Sequence, residues 1–148
     1  MADSKNTVEL FNQLSSVKST IDFNQYFETI KENRITFSQY YNDILAEKNI
    51  TLADARKQSG LSKDYAYGII NGHSKNPSKN KVLALCVAAH MTIDEINKAL
   101  RLTNNSCLDV RNVRDACIVF YINKGIYDVI KINQFIESQN GSQKDMLV

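Results

Sequence analysis

The chain has 148 residues, 43% hydrophobic and 23% charged, with one Pro, five Gly and no Trp. This suits one compact domain, or a small domain with an extension, and excludes wholesale disorder. The net charge of +2 names no partner by itself, and the longest apolar run, residues 116–122, is too short to cross a bilayer.

Hydrophobic spacing predicts helix nearly throughout and no strand. Residues 7–17 and 23–32 are short amphipathic candidates. Thr36 and Gln39 form a capping box ahead of a helix over 37–48, whose apolar positions are Phe37, Tyr40, Tyr41, Ile44 and Leu45. Thr51 and Asp54 open a short helix over 51–58. Ser62 caps the next, which stops at Asn71-Gly72. A loop, HSKNPS at 73–78, holds the only proline. After Ser78 comes a helix through Val82, Leu83, Cys86 and Ala89. Thr92 and Glu95 make a second capping box, before Ile93, Ile96 and Leu100.

A polar linker at 102–107 leads to two further helices, 110–123 and 126–138, separated by Gly125. One apolar stripe runs through Val113, Ala116, Cys117 and Phe120. Another runs through Ile126, Val129, Ile130, Asn133 and Phe135. The tail from Asn140 is expected to fray. The resulting layout is a helical extension over 1–35, a central domain over 36–103, a C-terminal helical pair over 108–138 packed on the core, and a tail over 139–148.

Charge is unevenly spread. Residues 1–55 carry five bases against eight acids, residues 56–81 six bases against one acid, and residues 82–148 seven of each. The positive stretch is an electrostatic footprint for polyanions. It contains two short helices joined through Ser59-Gly60-Leu61, the outline of a helix-turn-helix. Gly60 suits the left-handed backbone of a tight turn. Leu61 plugs the space between the helices, Ala55 allows a close crossing, and Ala66, Ile69 and Ile70 supply the inner side of the second helix.

On these residues, with Ile50-Thr51, Asn71-Gly72, Pro77, Leu83, Leu85, Ala88, Ala89 and Met91 through Glu95, residues 36–101 resemble the lambda-repressor/Cro-like (XRE) helix-turn-helix family. With its extensions the chain looks like divergent bacterial members of that family, which add an N-terminal helical segment and a C-terminal helix pair. Arg114-Asp115-Ala116-Cys117-Ile118 matches that pair. The resemblance implies an all-α protein with a five-helix DNA-binding core and extra N- and C-terminal helices. It implies a cytoplasmic transcriptional regulator acting on double-stranded DNA.

Several positions depart from the family. Leu52 stands where Gln is common, Ala55-Arg56 where Leu-Ala is common, and Ile70 where Glu is common. The resemblance places Ser62, Lys63, Asp64, Tyr65 and Tyr67 toward the groove, with Gly68 offering no side chain. Lys63 would donate to guanine or a phosphate, and Asp64 would accept from cytosine. His73, Lys75, Asn76, Lys79 and Lys81 are expected to grip phosphates, which positions a protein without specifying sequence. Asp64 has a second reading as a helix-dipole partner, and one of the two tyrosines is expected to pack against the 37–48 helix.

The rival to operator binding is a protein-interaction adaptor or inhibitor on the same fold, supported by the thin groove-facing set. Both a homodimer and a protein partner remain open. Enzymatic chemistry finds no support. Cys107 and Asp109 have no histidine close in sequence, and His73 and His90 are isolated. There is no Gly-rich phosphate loop and no metal-ligand spacing, so no cofactor and no metal is expected. Cys86, Cys107 and Cys117 lack a C-x-x-C pair and fit a reducing compartment, and the polar N-terminus reads as no signal peptide.

Overall fold

Side-chain caps decide where most of these helices begin. The structure, a computed structural model, describes residues 7–32, 35–74, 76–139 and 142–147. Every regular element among them is helical, so the chain is all-α. They belong to two units, Met1–Ile35 and Thr36–Val148.

The first unit contains α1 (Thr7–Ser15) and α2 (Thr20–Glu32). α2 starts three residues before the apolar spacing suggests, because Ser19 Oγ accepts the Asp22 N–H at 3.1 Å. Of the large apolar side chains in this unit, Tyr26 is buried while Val8, Phe11, Leu14, Ile21, Phe23 and Phe27 are exposed.

The second unit holds α3 (Phe37–Glu47), α4 (Leu52–Ser59), α5 (Lys63–Ile70), α6 (Lys79–Ala88), α7 (Ile93–Leu102), α8 (Val113–Asn123) and α9 (Val129–Ser138). Both capping boxes form. The Thr36 N–H reaches Gln39 Oε1 at 3.0 Å and the Gln39 N–H returns to Thr36 Oγ1 at 3.2 Å. The matching pair at Thr92 and Glu95 measures 2.9 and 3.2 Å.

α6 is the central helix. Val82 through Ala89 are all buried, and α4, α7 and α9 pack around it. A helix apolar on every side has to be enclosed in this way. Each of Leu83 and Leu85 contributes about 1.5–3 kcal/mol by its burial. Tyr41, fully buried on α3, donates its hydroxyl to Leu85 O at 2.8 Å. Burial drives its pKa well above the ordinary tyrosine value. At the far side of α3, Lys48 donates to Glu95 Oε1 at 2.7 Å and to the carbonyl of His90.

Three C-terminal expectations are corrected. α8 begins at Val113 and not at 110, because Asn112 Oδ1 caps the Asp115 N–H at 3.1 Å. Asp109 and Arg111 close a local turn just before it. α9 begins at Val129 and not at 126, with Asp128 capping Lys131 at 3.1 Å.

The apolar stripes are also rotated from the expected ones. Cys117, Ile118 and Ile122 are buried on α8, and Val129, Ile132 and Ile136 on α9. Phe120 and Ile130 are exposed, with Phe120 stacked on Phe135 at 5.2 Å. The tail does not fray among its described residues. A 3-10 turn, Gln143–Asp145, brings Leu147 into complete burial, with its N–H on Asn133 Oδ1 at 2.8 Å. Asn80 Nδ2 holds Lys144 O at 2.7 Å.

Candidate nucleic-acid interface

The turn between α4 and α5 fixes how α5 is presented. Thr51 Oγ1 caps α4 through the Asp54 N–H at 3.1 Å. α4 ends at Gly60, whose φ of 77° lies in the left-handed region that a side chain would strain. Ser59 is fully buried. Its hydroxyl donates to Arg56 O at 2.7 Å and accepts the Leu61 N–H at 3.2 Å, so the turn satisfies its own polar groups. Leu61 is buried, and Ala55 and Ala66 are completely so, which lets the two short helices cross closely. Ile69 and Ile70 complete the inner side of α5. Ile70, where the family often carries Glu, is fully enclosed.

With that side committed to the core, the opposite side of α5 is outward. Ser62 is its N-cap, accepting the Tyr65 N–H at 3.4 Å. Lys63 and Asp64 are exposed and make no hydrogen bond or ion pair among the described residues. Asp64 sits in the first turn, where the helix dipole favours a carboxylate. Tyr65 is 47% exposed and Tyr67 half-buried. A Cβ added at Gly68 would meet nothing within 4 Å.

The loop after α5 is held at both ends. The Ser74 N–H reaches Gly68 O at 2.9 Å, and Asn105 Nδ2 donates to Pro77 O at 3.1 Å. His73 and Asn76 are exposed, and Asn76 Oδ1 accepts from Asn104 Nδ2 at 3.3 Å. Lys75 lies outside the described residues.

Lys79 and Lys81 then part company. Lys81 is half-buried and places Nζ 4.2 Å from the centroid of the Tyr65 ring. This cation–π contact ties the first turn of α6 to the outward side of α5. Lys79 turns inward, and its expected role on phosphates is corrected. Its Nζ donates at 3.1 Å to each of Ser106 Oγ, Cys107 O and Asp115 Oδ2. Three donors meet three acceptors, which fills an ammonium completely.

Asp115 is the hub that the sequence did not reveal. It is fully buried and also accepts from Arg114 Nε at 2.8 Å and from the Asp109 N–H at 2.9 Å. Arg114 in turn reaches Asn80 Oδ1 at 2.9 Å. A carboxylate with this many donors is the arrangement that makes burial of charge tolerable. No local signal pairs Lys79 with a residue 36 positions away.

Among the described residues, no group of three or more His, Cys, Asp or Glu side chains is placed to hold a metal. No helix among them is long and apolar enough to cross a membrane. No curated protein and no solved structure matches the chain. A family model, the Cro/C1-type HTH DNA-binding domain, matches residues 42–99. That span runs from within α3 into α7 and includes the α4–turn–α5 unit. Residues 42–99 of this chain are therefore a Cro/C1-type, lambda-repressor-like helix-turn-helix DNA-binding domain.

Proposed function

We propose that the chain is a transcriptional regulator that holds duplex DNA mainly by its backbone and reads bases only modestly. The observation that carries this reading is the outward side of α5. Lys63 and Asp64 are exposed and unengaged, and Tyr65 stands beside Lys81. Lys63 and Tyr65 enter the major groove. Asp64 accepts from a cytosine amino group where one is present and repels phosphate elsewhere. Lys81, with Lys75 from its place in the basic loop, grips phosphates. His73 and Asn76 add neutral donors. Gly68 supplies no side chain, so few base edges are contacted.

Contacts of this type give affinity that falls steeply with salt and little discrimination. Fluorescence anisotropy with random-sequence duplex DNA over a salt series tests the reading. The expected result is binding at low salt, with log K falling by about 0.9 per phosphate contacted for each decade of salt. Preference for the best selected site over random DNA should stay at or below roughly a thousand-fold, the low end for specific binders. Absence of binding at low salt would sink this proposal and favour the protein-interaction reading, which the thin groove-facing set also suits.

A further inference from the structure

We infer that the first unit is a self-association element, in which the apolar stripes of α1 and α2 pack against those of a second copy of this chain. α1 presents Val8, Phe11 and Leu14 at three-residue intervals, 67%, 69% and 38% exposed. On α2, Phe23, Tyr26, Phe27 and Ile30 fall at the i, i+3, i+4, i+7 spacing of one helix face. Phe23 and Phe27 lie 5.0 Å apart, and both are exposed. A continuous aromatic row left in water is what a packing face looks like without its partner.

Size makes the same point. Helices shorter than about 12–15 residues are marginal alone, and α1 has 9 and α2 13. Units below about 40 residues need a disulfide, a metal or oligomerisation. The unit ends at Ile35, and residues 1–35 contain no cysteine, so no disulfide is available there.

The exposed stripe side chains amount to on the order of 500 Å², taking roughly 200 Å² for one large side chain. That is about two thirds of the ~800 Å² each partner contributes to a standard stable interface, and polar edges supply the rest.

The charge pattern selects the occupant. Residues 7–32 carry four acids, Glu9, Asp22, Glu28 and Glu32, against Lys18 and Lys31. This balance disfavours DNA and anionic lipid. At 100° per residue, Glu9, Asp22 and Glu28 fall off the stripes. Two identical stripes therefore meet about a two-fold axis without opposing like charges at the centre, the usual geometry of a homodimer. The C-terminal pair is a poorer candidate, because it buries its main apolar side in its own unit.

Sedimentation velocity on the full chain, up to about 100 μM, tests this. Wild type should form dimers. Phe11→Glu/Phe27→Glu should weaken dimerisation at least roughly a hundred-fold, as expected for charging two central aromatic anchors, while the main thermal transition is kept. A monomeric wild type, or a double variant that still dimerises, overturns the proposal. If the variant misfolds, isotope-filtered NOEs on mixed labelled and unlabelled wild type decide instead. Intermolecular contacts from the Phe11 or Phe27 ring are expected, and contacts confined to other surfaces overturn it.

Discussion

Two polar regions of the second unit use charge in opposite ways. Around Asp115, every charge is taken. Lys79, Arg114 and the Asp109 N–H converge on one buried carboxylate, and Asn80 and Cys107 O complete the set. Along the outward side of α5, Lys63 and Asp64 find nothing in the chain to bind. Lys79 and Lys81, one residue apart in the first turn of α6, fall on either side of this divide. A sequence-level charge count treats them alike. Only the lysine whose ammonium remains near α5 is available to a polyanion.

The comparison can be broken most forcefully at its closed end. Asp115→Ala leaves Lys79 and Arg114 buried without their counter-charge. It should lower the unfolding free energy by about 3–5 kcal/mol in a urea titration. A loss below about 1 kcal/mol would mean that the cluster is not the closed system described.

The Lys48–Glu95 pair is intermediate, partly exposed and bridging α3 to the start of α7. Burial pushes the Glu95 pKa up. The hydrogen bonds from Lys48 and the Thr92 N–H, with the Lys48 charge, outweigh that and hold it below the usual value of 4.5. A depressed carboxylate pKa contributes stability that is present above about pH 4.5 and is lost as pH falls through the lowered value. Wild-type stability should therefore fall more steeply on the acid side than that of Glu95→Gln, which keeps the capping geometry. Thermal melting across pH 3–6, about the carboxylate range, checks this, and parallel curves would contradict it.

The smallest effect belongs to the open side. Gly68 is helical and faces free space. Gly68→Ala should stabilise by about 0.5–1 kcal/mol through helix propensity and lower unfolded-chain entropy. A destabilisation would show that the outward side of α5 is packed after all.

What the sequence made legible follows the range of each interaction. Thr36 with Gln39, Thr92 with Glu95, and Gly60 are signals carried within four residues, and each appears where its spacing places it. The outline of the helix-turn-helix was readable for that reason, as were the buried Ala55, Leu61 and Ala66. Lys79–Asp115 spans 36 residues, and Leu147 docks by its amide on Asn133. No periodicity encodes either. The buried side of α8 was misjudged for a different reason. Val113, Ala116, Cys117, Ile118, Val119, Phe120 and Ile122 nearly surround the helix, so apolar spacing alone does not choose a side.

The central claim is that the open side of α5 and Lys81 hold DNA while the closed cluster only holds the fold. Its most direct test is the salt dependence of binding to random duplex DNA for wild type and Lys63→Ala/Lys81→Ala. The account predicts unchanged thermal stability to within about 0.5 kcal/mol per exposed site. It predicts a log–log salt slope shallower by about 1.8, roughly 0.9 for each lost phosphate contact. An unchanged slope in a folded double variant would contradict it.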